Sequence, residues 1–309
     1  MNTQSNAMPE SPLDASGSAA IAATRPLYWS IRRELWENRS LYIAPLTVAA
    51  AILLGFLIGT IRQLANLRVT LADPAQQRAA IQMPYDAAAF LILVTAFFTG
   101  VFYSLDALYG ERRDRSILFW KSLPVSDLTT VLAKAGIPLV VLPLVTFAVI
   151  VATQLVIFLL SMAILPGNVL SAATLWAQLP LFKMWISLLC AIVASALWYA
   201  PIYGWLLLIS SYARRATFLW AVIPMFAICA VEKIAFNTSN SVNFLKFRLI
   251  GWYAQAFVPL VWGRVPPADP LTQITPWRFL STPELWIGLI VAAAFIAATV
   301  RLRHYREPI

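Results

Sequence analysis

The sequence predicts an all-α integral membrane protein with about six transmembrane helices, and three observations carry that prediction. The 309 residues are 60% hydrophobic but only 12% charged, against about 25% charge in an ordinary soluble domain. A chain this poor in charge cannot cover its own surface in water, so lipid is the natural solvent for the excess. The apolar residues gather into runs near the ~20 residues that a spanning helix needs. The basic residues behind the net charge of +9 fall between those runs, as they do where cytoplasmic loops collect Lys and Arg. That placement argues against nucleic acid as a partner.

Residues 1–24 are rich in Ser, Ala, Asn and Thr, with no apolar run. They lack the basic and apolar regions of a secretory signal and read as a disordered cytoplasmic tail. Residues 25–309 form the membrane domain. Its first span, 41–61, has no charge, and the second, 87–109, has only Asp106 near its end. The third covers 135–165 and stops at Pro166-Gly167-Asn168. The fourth covers 185–209. The fifth, 217–236, has Glu232 and Lys233 near its exit, and the sixth, 285–300, is flanked by Arg301. Residues 135–182 contain no charge, too long a stretch for one helix. Segment 166–184 is therefore either a short interfacial piece, with Trp176 and Trp185, or a re-entrant segment that would upset the parity of the spans.

With six spans, the basic segments 1–40, 110–134, 210–216 and 301–309 share one side. The positive-inside rule makes that side the cytoplasm, with both termini in it, across what reads as a bacterial inner membrane. The opposite side holds nine of the 23 basic residues, spread over longer loops where the rule is weak. Its largest loop, 237–284, carries Trp252, Tyr253, Trp262 and Trp277 and reads as short helices on or in the outer leaflet. Lys246 and Arg248 could meet lipid phosphates there, and simple packing of a loop cap is an equal alternative.

Two segments point toward mechanism. In 26–40, Leu27, Ile31 and Leu35 recur at helical spacing, with Tyr28, Trp36 and Arg39 widening the stripe. Arg32, Arg33, Glu34 and Glu37 cover the polar side. Such a helix lies in the membrane plane, either as an anchor alone or as an elbow whose Trp29, Arg32, Arg33 and Trp36 also touch a soluble partner. In 109–134, a charged cluster is followed by a compact amphipathic stretch, Ile117 to Leu123, which Pro124 ends. Ser126 or Asp127 then caps a helix that returns to the membrane. A short exposed helix bearing aromatics suits docking in a partner's groove, although a solvated loop held by its own salt bridges is the plainer reading.

The pair Glu111-Arg112, the run Ser-Ile-Leu-Phe-Trp-Lys-Ser-Leu-Pro-Val-Ser at 116–126 and Lys134 resemble the cytoplasmic loop of type-2 (ABC-2) ABC transporter permeases. The resemblance extends over nearly the whole membrane region, because elbow helix, second-to-third-span loop and external helices fall where that family has them. It implies a permease subunit of an ATP-driven exporter, paired with an ATPase subunit and with a second permease, identical or homologous. It also implies that Glu111, Arg112, Arg115, Ser116, Ile117, Leu118, Phe119, Trp120, Leu123 and Pro124 couple the ATPase to the spans.

No glycine has the spacing of a P-loop, so this chain is expected to hold no cofactor itself. ATP and Mg belong to the partner ATPase. The chain is not expected to be an enzyme: there is one histidine, His304 in the basic tail, and there are no paired carboxylates. Cys190 and Cys229 lie in apolar runs and imply neither disulfide nor metal. A secondary transporter or channel is the rival, and it would need buried ionisable groups at mid-membrane. Asp106 and Glu232 come nearest, both toward helix ends. Gln154, Ser187, Tyr199 and Tyr203 could line a transport path, although small polar residues at helix contacts are the commoner explanation.

Overall fold

The computed structural model describes residues 27–63, 74–114, 126–164, 179–256 and 276–305, and all regular structure among them is helical. Six helices among the described residues are long and apolar enough to cross a membrane: Ser40–Thr60, Ile81–Arg113, Asp127–Ala163, Leu181–Tyr212, Thr217–Phe236 and Pro283–Tyr305. Large apolar side chains such as Leu54, Phe90, Phe102, Phe226 and Ile290 face outward. In water this would be a patch far beyond what soluble proteins tolerate. The protein is an all-α, multi-pass membrane protein.

Helix α1 covers 27–37 and breaks at Asn38, whose side chain bonds the carbonyl of Glu34 at 3.1 Å. An Asn that satisfies backbone locally competes with helix continuation, and the chain turns directly into α2, Ser40–Gln63. Helix α3, Pro74–Asp106, begins thirteen residues before the expected second span. The hydropathy run ends at Asp86, but helical hydrogen bonding does not depend on polarity. A two-residue turn leads to α4, Tyr109–Arg113.

The third span is in three pieces. Helix α5, Asp127–Gly136, is capped by Ser126, whose Oγ accepts the Thr129 N–H at 3.1 Å. A π turn, Ile137–Val141, follows, and α6 continues over Leu142–Ile164. Pro138 explains the π turn. It has no N–H for the carbonyl of Lys134 and its ring crowds that carbonyl, so the helix widens for one turn instead of breaking. Residues 165–178, which include most of the ambiguous outer segment, lie outside the described residues, as does the tail 1–26.

Helix α7, Leu181–Tyr212, is the centre of the bundle. It packs most extensively along α11, Pro283–Tyr305, and also against α3, α6 and α9, Asn240–Ala256. Gly204 lets α7 approach α11 closely, because a Cβ there would stand 3.3–3.5 Å from Phe295 and Ala292. Gly100 does the same between α3 and α7, under the ring of Tyr203. Helix α8, Thr217–Phe236, follows α7 after a tight turn in which Ala216 takes φ 52°. Its apolar side chains stay largely exposed. The short α10, Pro276–Leu280, precedes α11. By chain direction, the end of α4 and the starts of α2 and α5 lie at one end of the bundle with the ends of α7 and α11. That end is called the charged end below.

Candidate functional site

At the charged end, side chains from α1, α3, α4, α5 and α11 converge on a buried ion-pair cluster. Glu34 of α1 is only 4% exposed. Its Oε1 accepts a charge-assisted bond from Lys134 Nζ at 2.7 Å, and its Oε2 accepts the Tyr103 hydroxyl at 2.8 Å. Lys134 also lies 3.2 Å from Glu111 Oε1. The other oxygen of Glu111 accepts from Arg303 Nη1 at 3.0 Å, and Arg303 Nε reaches Asp127 Oδ1 at 3.0 Å. Arg33, bonded to Glu37 along α1, adds a longer approach of 3.9 Å to Glu111. His304 stands 3.5 Å from Asp127 and strengthens that contact when protonated. Three carboxylates, Glu34, Glu111 and Asp127, thus face the basic side chains of Arg33, Lys134 and Arg303.

The elements bring these groups together for local reasons. Glu34 lies one turn from Ile31 and adjacent to Leu35, and both of these pack against the core, so the face that buries them buries Glu34 as well. Asp127 is free to pair because Ser126, not Asp127, is the helix cap. Charges buried this deeply persist only when paired, and each of these carboxylates has at least one cation within 3.2 Å.

A second clasp joins α4 to α7. Arg112 Nη2 donates to the carbonyls of Ser210 and Ala213 at 2.6 and 2.7 Å. These are among the carbonyls that a helix leaves unsatisfied at its C-terminus. In return, Ser210 Oγ accepts the N–H groups of Leu108 and Tyr109, both at 3.0 Å. The adjacent residues Glu111 and Arg112 therefore serve different partners, one tying α4 to α5 and α11 and the other to α7.

Several expectations need correction. Glu34, assigned to the polar side of α1, is buried and ion-paired, because the true inward face runs Ile31, Glu34, Leu35. Tyr28 and Trp36, assigned to the apolar stripe, are 59% and 71% exposed. They share the outer face of α1 with Trp29 and Arg32, and the Arg32 guanidinium stacks over Trp29 and Trp36 at 5.2 and 5.3 Å. Arg33 alone of the four elbow residues turns toward the cluster. Arg115, Ser116, Ile117, Leu118, Phe119, Trp120, Leu123 and Pro124 lie outside the described residues.

The four path residues divide into separate contacts. Gln154 is buried, its Nε2 donating to the Tyr85 carbonyl at 3.3 Å and its Oε1 accepting the Trp185 indole at 2.9 Å. Tyr203 is buried over Gly100, and Tyr199 donates to the Leu249 carbonyl of α9 at 2.7 Å. Ser187 is half-buried near the start of α7. Asp106 is exposed at the end of α3. Glu232 caps α9 by accepting the N–H groups of Asn240 and Ser241 at 2.6 and 2.7 Å and the Thr238 hydroxyl.

Sequence reasoning missed Glu34, Tyr103, Arg303 and Ser210. A signal existed for the first: one carboxylate on an otherwise apolar helix face, matched by Lys134 at the edge of a long charge-free run. Among the described residues, no three His, Cys, Asp or Glu side chains are grouped to hold a metal ion. Compared with protein-family models, curated proteins and solved structures, the chain matches none.

Proposed function

We propose that this chain is the membrane-spanning permease subunit of an ATP-driven, ABC-2-like exporter, working with a separate ATPase subunit and a second permease, identical or homologous. The observation that carries the reading is the ion-pair cluster at the root of segment 115–124. Helix α4 leads into that segment and α5 leads out of it. Glu111 and Lys134, one on each, meet at 3.2 Å and are bonded onward to Arg303 and Glu34. A push on 115–124 would reach α1, α3, α5 and α11 through buried charged contacts, and α7 through Arg112. Rigid coupling of this kind is what a permease without its own nucleotide site requires.

In this reading the charged end faces the cytoplasm of a bacterial cell, with both termini there. Arg214 and Arg215 in the short turn before α8 agree with that orientation under the positive-inside rule. The exposed face of α1, with its stacked Trp29, Arg32 and Trp36, lies in the headgroup layer or against the ATPase. ATP and Mg are held by the partner. Helices α9 and α10 lie on the outer side.

Co-purification in mild detergent with the ATPase encoded beside this chain, followed by an ATPase assay, tests the proposal. A stable complex is expected, lost on deletion of 115–124. Glu111→Lys, or Leu118→Pro in the segment itself, is expected to uncouple ATP hydrolysis from transport while membrane insertion stays intact. A well-folded sample that binds no ATPase overturns the reading, and normal transport in both variants overturns the role given to this loop.

A further inference from the structure

The charged end is not the only place where the bundle buries a charge. Arg248 lies on α9 at the opposite end and is 9% exposed. Its guanidinium sits in a slot. On one side is the ring of Trp198, with Cζ 4.6 Å from the ring centroid. On the other is Gly288 of α11, where a Cβ would collide with Nη2 and stand 2.9 Å from Cζ and Nη1. The slot exists because position 288 has no side chain.

The backbone beside it is fastened as well. The Trp198 indole donates to the Arg248 carbonyl at 2.9 Å, and the Tyr199 hydroxyl donates to the next carbonyl, Leu249, at 2.7 Å. Both contacts come from α7. They set the depth of α9 against the bundle and hold the guanidinium in place.

Among the described residues, Nη1 reaches only the Glu284 carbonyl, at 3.4 Å, and Nη2 is buried without a hydrogen-bond partner. No carboxylate among the described residues forms an ion pair with Arg248. Burial pulls its pKa below the ordinary value, yet a guanidinium stays charged in proteins. The first turn of α11 carries the partial positive charge of a helix N-terminus together with the acidic Glu284. Gly288 is the sixth residue of this 23-residue helix, about 8 Å below its start at 1.5 Å per residue. Lys246, which the sequence marks equally as a phosphate contact, is exposed and has no such slot.

We propose that Arg248, framed by Trp198, Gly288 and the N-terminal turns of α11, is a binding site for one oxyanion, the phosphate or carboxylate head of an amphiphile. Its fixed fork suits two oxygens of such a group. The site does not depend on the ATPase partner and stands or falls separately from the permease reading.

The full-length protein in nanodiscs of equal phosphatidylglycerol and phosphatidylcholine tests it, with the lipids retained after gentle extraction resolved by native mass spectrometry. Wild type is expected to hold one phosphatidylglycerol that Arg248→Gln loses, at least a roughly tenfold drop in retention for one charge-assisted contact. Gly288→Ala, which keeps the charge but fills the slot, is expected to lose it too. A second arm titrates inorganic phosphate against tryptophan emission, with Trp198→Phe identifying the reporting ring. A phosphate response lost in Arg248→Gln, with lipid retention equal in all proteins, assigns the site to a soluble oxyanion. Equal lipid retention and equal phosphate response in wild type, Arg248→Gln and Gly288→Ala, all monodisperse and folded, overturns the proposal.

Discussion

Replacing Lys134 by Met tests the buried cluster most directly. The substitution keeps most of the side-chain volume and removes a cation that stands 2.7 Å from Glu34 and 3.2 Å from Glu111. At an effective dielectric near 20 these separations correspond to gross attractions of about 6 and about 5 kcal/mol. Desolvation of the three ions offsets much of that, and breaking a buried pair by removing one partner costs about 3–5 kcal/mol. The loss falls unevenly. Glu111 keeps Arg303 at 3.0 Å, whereas Glu34 keeps only the Tyr103 hydroxyl and the Asn38 amide. Most of the cost is therefore the stranding of Glu34, and adding Glu34→Gln should recover more than half of it. The assay is denaturant unfolding of the four proteins of the double-mutant cycle in mild detergent, followed by near-ultraviolet circular dichroism. A coupling of about 2–3 kcal/mol between positions 34 and 134 is expected for groups in direct contact. A Lys134→Met cost below about 1 kcal/mol, the range of exposed pairs, or strict additivity of the two substitutions, would refute the reasoning.

Further outcomes follow from neighbouring contacts. Arg112→Met removes two short bonds to the end of α7 and should cost about 1.5–3 kcal/mol, as for other hydrogen bonds to charged groups. Ser210→Ala strands the N–H groups of Leu108 and Tyr109 and should cost about 1–3 kcal/mol. Both losses are read from the same unfolding curves. Hydrogen exchange should also show faster opening of the turn between α3 and α4 in each. Gly100→Ala places a Cβ 2.9 Å from the Tyr203 hydroxyl and should cost about 1–3 kcal/mol by overpacking. Tyr203→Phe in that background should return part of it, and no return would mean that the strain lies instead on the ring carbon Cε1, 3.0 Å away and kept in Phe, or on Leu142, 3.2 Å away.

Much of the architecture was legible in the sequence. The six spans were found because membrane insertion depends on a local quantity, the mean polarity of about 20 consecutive residues. The fifth was located to the residue, since 217–236 is bounded by polar turns on both sides. The third was misjudged at the charged end, where α5 continues as helix beyond the apolar run, and the second at the opposite end, where α3 does the same. The Ser126 cap could be anticipated, because capping acts over four residues or fewer.

The candidate site was legible only in part. Glu111, Arg112 and Lys134 stand out in the chain as charged residues flanking the segment whose resemblance to a permease loop singled them out. Their partners did not stand out. Glu34 and Lys134 are 100 residues apart, Arg112 and Ser210 are 98 apart, and Glu111 and Arg303 are 192 apart. Charge and period along a segment tell which face of a helix prefers water. They do not tell which of several Arg and Lys residues will meet a given carboxylate once five helices converge.

The sequence by itself therefore determined the solvent, the number of spans and the segments that carry charge. The tertiary structure alone decided that Glu34 turns inward, that Arg303 closes the cluster, and that Arg248, beside Gly288, meets no carboxylate among the described residues. The physical reason is the range of each effect. Insertion and capping are settled within a few turns of one helix, whereas ion pairing and the fit of a guanidinium over a glycine depend on how separate helices are packed.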